Sequence, residues 1–346
     1  MAKLSFSSAE IKSIVTVVGS NTVNFLDEYD KYELSRVDAL RIADTIGLHS
    51  RRVADDNQTT VDLCHQAADL TLSNACDRDQ VDALIFVTQS PDYRSPSSAI
   101  KLQSLLGLKK SCLAFDINLG CSGYVYGLSV AHSYIESGLN NVLLCVGDVA
   151  SKLVDLCDHK VSALMGDAGS CTLIQRSSKA SFFNLYSDGS GQDALIIPNS
   201  GIRKSKRYPK HINTLQMDGG SVFNFTLKVV PDLVFDTLEY ACKDINQIDE
   251  FVFHQPNKFM LDRIIKKIPT NSEKFQIRTQ SIYGNQNSAS IPGTINGFLS
   301  QKLSKGSLNL FLAGFGVGLS WGGAVVSTDR IFCPMVINSD GRVLEE

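Results

Sequence analysis

A cysteine between two nearby glycines is the strongest candidate for chemistry in this sequence. Gly120 and Gly123 flank Cys121 at a predicted strand-to-helix junction, and the apolar residues 124–135 that follow have the character of a helix. A helix N-terminus carries partial positive charge, which favours a thiolate and lowers the thiol pKa. Small neighbours also let a substrate approach the sulfur. The pattern therefore predicts a nucleophile that accepts an acyl group from a thioester.

The alternative for any cysteine is a packed core thiol, because free cysteine is among the most buried residue types. Nine cysteines are present. The glycines and the helix start favour chemistry at Cys121, and the other cysteines keep the core interpretation. Cys145 lies within a predicted strand, and Cys112 just precedes one. Cys64 and Cys242 lie on predicted helices.

Two polar residues of the C-terminal part could support such a cysteine. His254 follows the apolar strand 251–253, and Asn285 lies in a Gly-Asn turn. A neutral imidazole and a side-chain amide can each donate a hydrogen bond to a developing enolate oxygen. The alternatives are a structural histidine and an asparagine that caps a helix or forms a turn. We interpret Ser288 and Ser290 as caps or helix-packing residues.

A glycine-rich segment supplies a candidate oxyanion hole. Gly316 and Gly318 flank Val317. The backbone N–H of Val317, together with that of Cys121, could hold the oxyanion that forms when a thioester is attacked. The alternative is that these glycines only allow tight packing within a sheet.

An internal repeat places the candidate residues at equivalent positions. Residues 81–92 and 248–257 each begin with an apolar residue and an aspartate, continue as a buried strand, and end in a polar turn with proline. Residues 116–148 and 279–316 each run from a strand end through a small-residue turn and a helix into another strand. Cys121 and Asn285 then occupy equivalent turns.

The repeat predicts an α/β fold made of two similar halves. Apolar strands alternate with helical stretches, such as those near residues 60–76 and 229–243, which indicates sheets covered on both faces. We divide the chain into residues 1–178, which carry the cysteine, and residues 179–346, which carry the histidine and the asparagine. Strand ends beside helix N-termini are where α/β folds place their chemistry.

Composition argues against several classes of function. The chain has 346 residues, of which 20% are charged, and a net charge of −3, so bulk charge gives no support for nucleic-acid binding. No apolar run reaches the roughly 18–20 residues of a membrane helix, and the N-terminal residues lack the apolar stretch of a signal peptide. Single, scattered cysteines suit a reducing compartment. We therefore expect a cytoplasmic protein that binds no membrane, and we predict no metal site.

Several of these motifs together resemble β-ketoacyl-acyl-carrier-protein synthase III. They are residues 118–123, 254–257, 284–285 and 316–322. The resemblance covers most of the chain and implies a homodimer with a five-layer αβαβα thiolase fold. It also implies that Cys121 is acylated from acyl-CoA or acyl carrier protein and that the acyl group then condenses with malonyl-acyl carrier protein, with loss of CO2. His254 and Asn285 would stabilise the enolate, and no cofactor is expected beyond these thioester substrates.

Departures from the family pattern concern the acyl donor. The stretch that grips the CoA adenine in the family has a tryptophan and an arginine where this chain has Arg41 and Thr45, and a further family arginine is Lys152 here. Standard acetyl-CoA priming is therefore not supported. Such departures suit the branch of the family that works in specialised or surface-polysaccharide pathways.

Basic residues suggest where an acidic carrier protein would dock. Lys266 and Lys267 lie on the predicted helix after the histidine, and the resemblance implies docking there. A solvated helix face is the alternative. The basic loop 203–210 could also contact the carrier protein or the CoA phosphates, or be merely solvated.

Three functions stay open at this point. The leading hypothesis is a decarboxylative condensing enzyme. The second is an acyltransferase on the same fold that moves an acyl group from a thioester to a hydroxyl or amine acceptor. The third is a non-catalytic subunit that binds the carrier protein, which the intact Cys121, His254 and Asn285 argue against.

Overall fold

The computed structural model describes residues 2–276 and 279–344. Within these residues, two large β-sheets lie face to face, with helices between them and on both outer sides. Three apolar clusters fill the spaces between these layers. Strands that are buried on both faces explain the near-continuous apolar runs in the sequence.

The first sheet collects strands mainly from the N-terminal part. Among the described residues its order is β15 (Ile337–Asn338), β2 (Ala9–Val18), β8 (Ala168–Arg176), β7 (Asn141–Asp148), β5 (Ala83–Val87) and β6 (Leu113–Ile117). β5, β6 and β7 are parallel. Their carboxyl ends therefore meet at one edge of the sheet, where Cys121 follows β6 and Asp148 ends β7.

The second sheet is built mainly from the C-terminal part. Among the described residues its order is β1 (Ala2–Phe6), β9 (Ser181–Ser187), β14 (Ser320–Thr328), β13 (Leu308–Gly316) and β12 (Glu250–Phe253). β12 and β13 are parallel, and His254 directly follows β12. Two smaller sheets pair β3 (Asn21–Asn24) with β4 (Ser50–Val53), and β10 (Leu195–Ile196) with β11 (Gln216–Met217).

Helices form the other layers. Between the sheets lie α4 (Gly123–Glu136), α8 (Ser290–Thr294), a π-helical turn (Ile295–Leu299) and α9 (Ser300–Leu303); α2 (Thr60–Ala75) and α3 (Ser98–Leu105) cover the first sheet, and α5 (Gly219–Tyr240) and α6 (Lys258–Ile265) cover the second. Two further helices are α1 (Arg36–Ile46) and α7 (Gln280–Tyr283). α4 is apolar on most of its surface because it contacts both sheets. This layering confirms the predicted αβαβα architecture.

Both copies of the repeat form most of the predicted elements, but the strand end predicted at the start of segment 279–316 is wrong, because Gln280–Tyr283 form the short helix α7. β5 lies within residues 81–92, β12 lies within residues 248–257, and β7 and β13 end the two longer segments. The predicted helix near 229–243 begins ten residues earlier, at Gly219, because the side chain of Asp218 caps the start of α5. Since α5 ends at Tyr240, the assignment of Cys242 to a helix is wrong. This residue is exposed, with a left-handed φ of 49°.

The predicted boundary between the halves falls between β8 and β9. The two sheets nevertheless exchange their terminal strands, because β1 pairs with β9 and β15 pairs with β2. The division into residues 1–178 and 179–346 stays a prediction, and the sheets do not follow it at the two ends of the chain.

Candidate active site

Cys121 lies where the two sheets approach each other. It precedes the first turn of α4, and 7% of its surface is exposed. Gly316, the last residue of β13, comes so close that a Cβ there would lie 2.7 Å from the Cys121 sulfur. The backbone N–H groups of Val317 and Cys121 both approach this sulfur. The two groups predicted for the oxyanion hole therefore lie beside the predicted nucleophile, and their role stays a prediction.

Burial decides the charge of this thiol. It raises the pKa of Cys121 to about 11, although the N–H of Val317 opposes the rise. The negative charge of Asp148 raises the same pKa further. Our expectation of a lowered pKa is wrong for the resting site, because the helix terminus and two N–H groups do not offset the loss of water around a thiolate. The thiol is neutral near pH 7, so acylation must remove its proton.

His254 presents a neutral imidazole. It is 2% exposed, and its ring packs edge-on against Phe315 with the centroids 5.5 Å apart. Burial lowers the pKa of His254 to about 3, and the backbone of Asn287 opposes this only in part. The ring is therefore uncharged at any pH near neutrality. It can donate one hydrogen bond and accept another.

The single hydroxyl proton of Ser290 sets the tautomer of His254. Ser290 Oγ lies 2.7 Å from His254 Nδ1 and 2.8 Å from the carbonyl oxygen of Asn287. If the hydroxyl donates to that carbonyl, Nδ1 carries the ring proton and Nε2 is an acceptor. If it donates to Nδ1, Nε2 carries the proton and is a donor. The interpretation of Ser290 as a cap or packing residue is therefore incomplete.

Hydrogen bonds hold Asn285 from several sides. Its N–H donates to the carbonyl of Leu164 at 2.7 Å, and its carbonyl accepts from the N–H of Gly166 at 3.0 Å. Its side-chain Oδ1 accepts from the N–H of Asn287 at 3.0 Å. Because the amide oxygen is engaged, the amide nitrogen is the group left to donate. This geometry suits the donor role that we predict for Asn285.

Two residues that the sequence interpretation missed lie beside the cysteine. Asn287 Oδ1 accepts a hydrogen bond from Cys121 Sγ over 3.7 Å. Asp148 is fully buried, and its Oδ1 accepts from the N–H groups of Gln89 at 2.7 Å and Ser90 at 3.1 Å. Burial raises the pKa of Asp148 to about 6. The signal for Asn287 was its place in the run of polar residues 285–288, next to the predicted Asn285.

Comparisons with known proteins decide the family. A family profile described as 3-oxoacyl-[acyl-carrier-protein (ACP)] synthase III matches residues 115–189, and the profile of its C-terminal part matches residues 238–328. A Campylobacter jejuni protein provisionally named 3-oxoacyl-[acyl-carrier-protein] synthase 3 is 34% identical, over 97% of this chain and 98% of its own. A β-ketoacyl-[acyl-carrier-protein] synthase III of Natranaerobius thermophilus is 31% identical, over 82% of this chain and 89% of its own.

The chain belongs to the 3-oxoacyl-[acyl-carrier-protein] synthase III family.

Solved structures agree with this assignment. The crystal structure of a 3-oxoacyl-(acyl-carrier protein) synthase from Burkholderia xenovorans LB400 superimposes with a TM-score of 0.94 and 37% identity, covering 98% of this chain and 99% of that one. The fold is therefore the thiolase fold of the synthase III enzymes, as the resemblance implied. The protein is a transferase of this condensing-enzyme kind.

One cavity brings the predicted site residues together. Cys121, His254, Asn285 and Val317 all line a cavity of about 370 Å³. Most of the remaining wall is apolar and includes Leu153, Met165, Leu215, Met217, Phe223 and Phe259. An apolar cavity that ends at a thiol has the shape and polarity to receive an acyl chain.

The predicted docking residues lie away from the cavity wall. Lys266 and Lys267 are exposed just beyond the C-terminal end of α6, whose first turn lines the cavity through Phe259. Lys267 Nζ also donates to the carbonyl of Leu227 on α5 at 3.0 Å. The structure therefore leaves Lys266 the freer of the two charges.

The residues that depart from the synthase III pattern are engaged within the chain. Arg41 is exposed and forms a 3.8 Å ion pair with Asp38, and the hydroxyl of Thr45 donates to the carbonyl of Arg41. Lys152 Nζ donates to the carbonyls of Asp55, Asp56 and Gln58 at 2.6–2.7 Å. These bonds use all three donors of the ammonium group. Lys152 is therefore not free to donate to a phosphate group.

No helix within residues 2–276 and 279–344 combines the length and the apolar character needed to cross a membrane.

Proposed function

We propose that this protein catalyses a decarboxylative Claisen condensation through an acyl group on Cys121. The sulfur attacks an acyl thioester, the donor thiol leaves with the proton, and an acyl-cysteine forms. Malonyl-acyl carrier protein then loses CO2, and the resulting enolate carbon attacks the acyl carbonyl. The new C–C bond forms as the C–S bond to Cys121 breaks, and the sulfur regains a proton. The product is a β-ketoacyl-acyl carrier protein, and the reaction uses no cofactor.

The observation that carries this proposal is the cavity shared by the thiol, a neutral imidazole and an oriented amide. Decarboxylation builds negative charge on the malonyl thioester oxygen. Uncharged donors from His254 and Asn285 can stabilise that oxygen without attracting the malonyl carboxylate, which must leave. Such donors act strongly in a buried site because little water competes with them.

The second candidate is transfer of the acyl group to a hydroxyl or amine acceptor. One observation favours it. Ser290 Oγ lies 2.8 Å from the carbonyl oxygen of Asn287. Because a carbonyl oxygen can only accept a hydrogen bond, this contact requires Ser290 to be the donor. Nδ1 of His254 then carries the ring proton, and Nε2 has a lone pair that can act as a general base. In condensation, the hydroxyl donates to Nδ1 instead.

The test of the proposed function separates the two half-reactions. His254→Ala and Asn285→Ala should still form acyl-Cys121, because the departing donor thiol takes the proton of Cys121 and backbone N–H groups hold the oxyanion. Both should release CO2 from malonyl-acyl carrier protein about 10²–10³ times more slowly, the usual cost of losing one such donor. Intact-mass and peptide-mass spectrometry with a panel of acyl-CoA and acyl-carrier donors follow the first step, and CO2 release follows the second.

Two results would contradict this proposal. An acyl adduct on Cys145 or Cys112, with Cys121 unmodified, would remove the nucleophile assignment, and Cys121→Ala is the matched control. A wild-type protein that acylates readily but never releases CO2 with any malonyl donor would leave acyl transfer as the function.

We further propose a homodimer that binds acyl carrier protein in the cytoplasm. β6 ends the first sheet and is only partly buried, which supports pairing with another copy. Exposed Lys266 and Lys267 lie just beyond the end of α6, the helix that borders the cavity, which supports docking of an acidic partner there. All nine cysteines are free thiols, which supports a reducing compartment.

A further inference from the structure

Asn287 has an unusual backbone for a buried residue. Its φ is 48°, in the left-handed region, and 8% of its surface is exposed. Asparagine tolerates this conformation better than most residues, whereas a β-branched residue is a clear outlier there. Asn287 begins the short turn Asn287–Ala289 that leads into α8. The left-handed conformation sets the directions in which its N–H and carbonyl point.

The backbone of Asn287 contacts one predicted catalytic side chain directly and the hydrogen-bond partner of another. Its N–H donates to Asn285 Oδ1 at 3.0 Å. Its carbonyl oxygen lies 2.8 Å from Ser290 Oγ, which in turn lies 2.7 Å from His254 Nδ1. A change in the φ of Asn287 would therefore displace the N–H that binds the side chain of Asn285. It would also displace the carbonyl that holds Ser290, and through Ser290 it would affect the position of His254.

The side chain of Asn287 contacts the third predicted catalytic group. Its Oδ1 accepts from Cys121 Sγ over 3.7 Å. The same amide approaches the buried carboxylate of Asp148, whose Oδ2 has no well-formed hydrogen bond within the described residues. A carboxylate only accepts hydrogen bonds, so it turns the amide nitrogen toward itself and the amide oxygen toward the thiol. Two titratable groups on neighbouring elements are Asp148, which ends β7 and acts on the Cys121 thiol, and His254, which follows β12 and lines the same cavity.

We propose that Asn287 is a positioning residue for all three predicted catalytic side chains. Its left-handed backbone orients Asn285 and, through Ser290, His254. Its amide links Cys121 to Asp148 and accepts a hydrogen bond from the thiol. This inference deepens the proposed function and depends on it where CO2 release is the readout.

Two substitutions separate the backbone role from the amide role. Asn287→Gly removes the amide but keeps the left-handed conformation accessible. Asn287→Val removes the amide and disfavours that conformation. We expect Asn287→Val to lower CO2 release about 100-fold, because both enolate donors lose their support, and Asn287→Gly to lower it by a clearly smaller factor. Cys242→Gly is the matched control, because Cys242 is exposed with a φ of 49° and lies outside the cavity wall.

The pH dependence of Cys121 alkylation by iodoacetamide, followed peptide by peptide, tests the amide. A hydrogen bond from the thiol to Asn287 Oδ1 stabilises the neutral form, so its loss favours the thiolate. We expect the midpoint to fall by roughly half a pH unit in Asn287→Gly and to stay unchanged in Cys242→Gly. If Asn287→Val does not fold, Asn287→Ala takes its place.

The outcomes decide each part of the proposal. Equal loss of CO2 release in the glycine and valine variants would overturn the backbone role, and an unchanged alkylation midpoint would overturn the amide role. If the wild-type protein acylates but releases no CO2, the proposed function fails, and the alkylation profile still decides whether the amide holds Cys121.

Discussion

Which nitrogen of His254 carries the proton decides what this residue can do at the site. Its imidazole is neutral, because burial lowers the pKa of His254 to about 3. A neutral ring has one donor and one acceptor, and Ser290 contacts Nδ1. Condensation needs Nε2 as the donor, so Ser290 must then donate its proton to Nδ1. Acyl transfer needs Nε2 as the acceptor, so Ser290 must then accept.

Substitution of Ser290 therefore distinguishes the two functions. In Ser290→Ala no hydroxyl can donate to Nδ1, and a proton on Nδ1 is favoured by the nearby carbonyl of Asn287. For a condensing enzyme we expect CO2 release to fall about tenfold or more, while acylation of Cys121 persists. For a general-base acyltransferase, acyl transfer should be little changed. Ser288→Ala, a buried serine two positions away, is the matched control.

At the scale of elements, the end of β13 approaches the start of α4 closely enough to define the site. A Cβ on Gly316 would lie 2.7 Å from both Cβ and Sγ of Cys121, and the φ of Gly316 is 156°. Neither atom belongs to the far end of a flexible side chain, so the conflict can be relieved only by moving the strand end or the nucleophile.

Gly316→Ala should therefore damage acylation more than stability. We expect acylation of Cys121 to fall about 100-fold, because a shift of about 1 Å can cost that much in rate. We expect a loss of about 1–3 kcal/mol in the free energy of unfolding from overpacking. Gly306→Ala is the control, because a Cβ there meets no atom within 4 Å. Acylation rates and chemical denaturation measure the two effects, and normal acylation in Gly316→Ala would show that the site tolerates the extra methyl group.

For the whole molecule, we predict that a carrier protein docks on the surface that carries α6. Reversing Lys266 and Lys267 to Glu should raise KM for a malonyl-carrier substrate several-fold and weaken its dependence on salt. Each surface charge contributes only about 0–1 kcal/mol. Because Lys267 also binds the Leu227 carbonyl, Lys266→Glu alone isolates the charge effect. Lys305→Glu with Arg330→Glu, both exposed and away from the cavity wall, is the matched control. Unchanged kinetics in the Lys266 and Lys267 variants would show that the carrier protein docks elsewhere, for example on the 203–210 loop.

Dimer formation can be tested at β6. The N–H of Leu113 donates to Asp82, so by the alternation of a strand the N–H of Ala114 points away from β5. Ala114→Pro removes this outward donor and should convert a dimer into a monomer, as measured by light scattering. Ala114→Ser keeps the N–H and should remain dimeric. A wild-type monomer, or a proline variant that stays dimeric while folded, would place the interface elsewhere.

Much of the fold follows from local patterns. The apolar strands of the repeat, the helix after Cys121 and the layered α/β architecture could be predicted, because strand and helix periodicity depend on neighbouring residues. The start of α5 could not, because its first turn depends on the side-chain cap of Asp218 rather than on an apolar face.

Residue types and spacing alone indicate which groups stand at the turns of each half, and hence that Cys121, His254 and Asn285 are the groups most suited to the chemistry. Their environment depends on how the chain packs. Asn287 contacts Cys121 across 166 positions of chain, and Ser290 contacts His254 between two different elements. The raised pKa of Cys121 has the same origin, because packing against β13 removes the water that would stabilise a thiolate. The local sequence around Cys121 cannot show how far its thiol is removed from water, because this burial arises only when distant segments pack together.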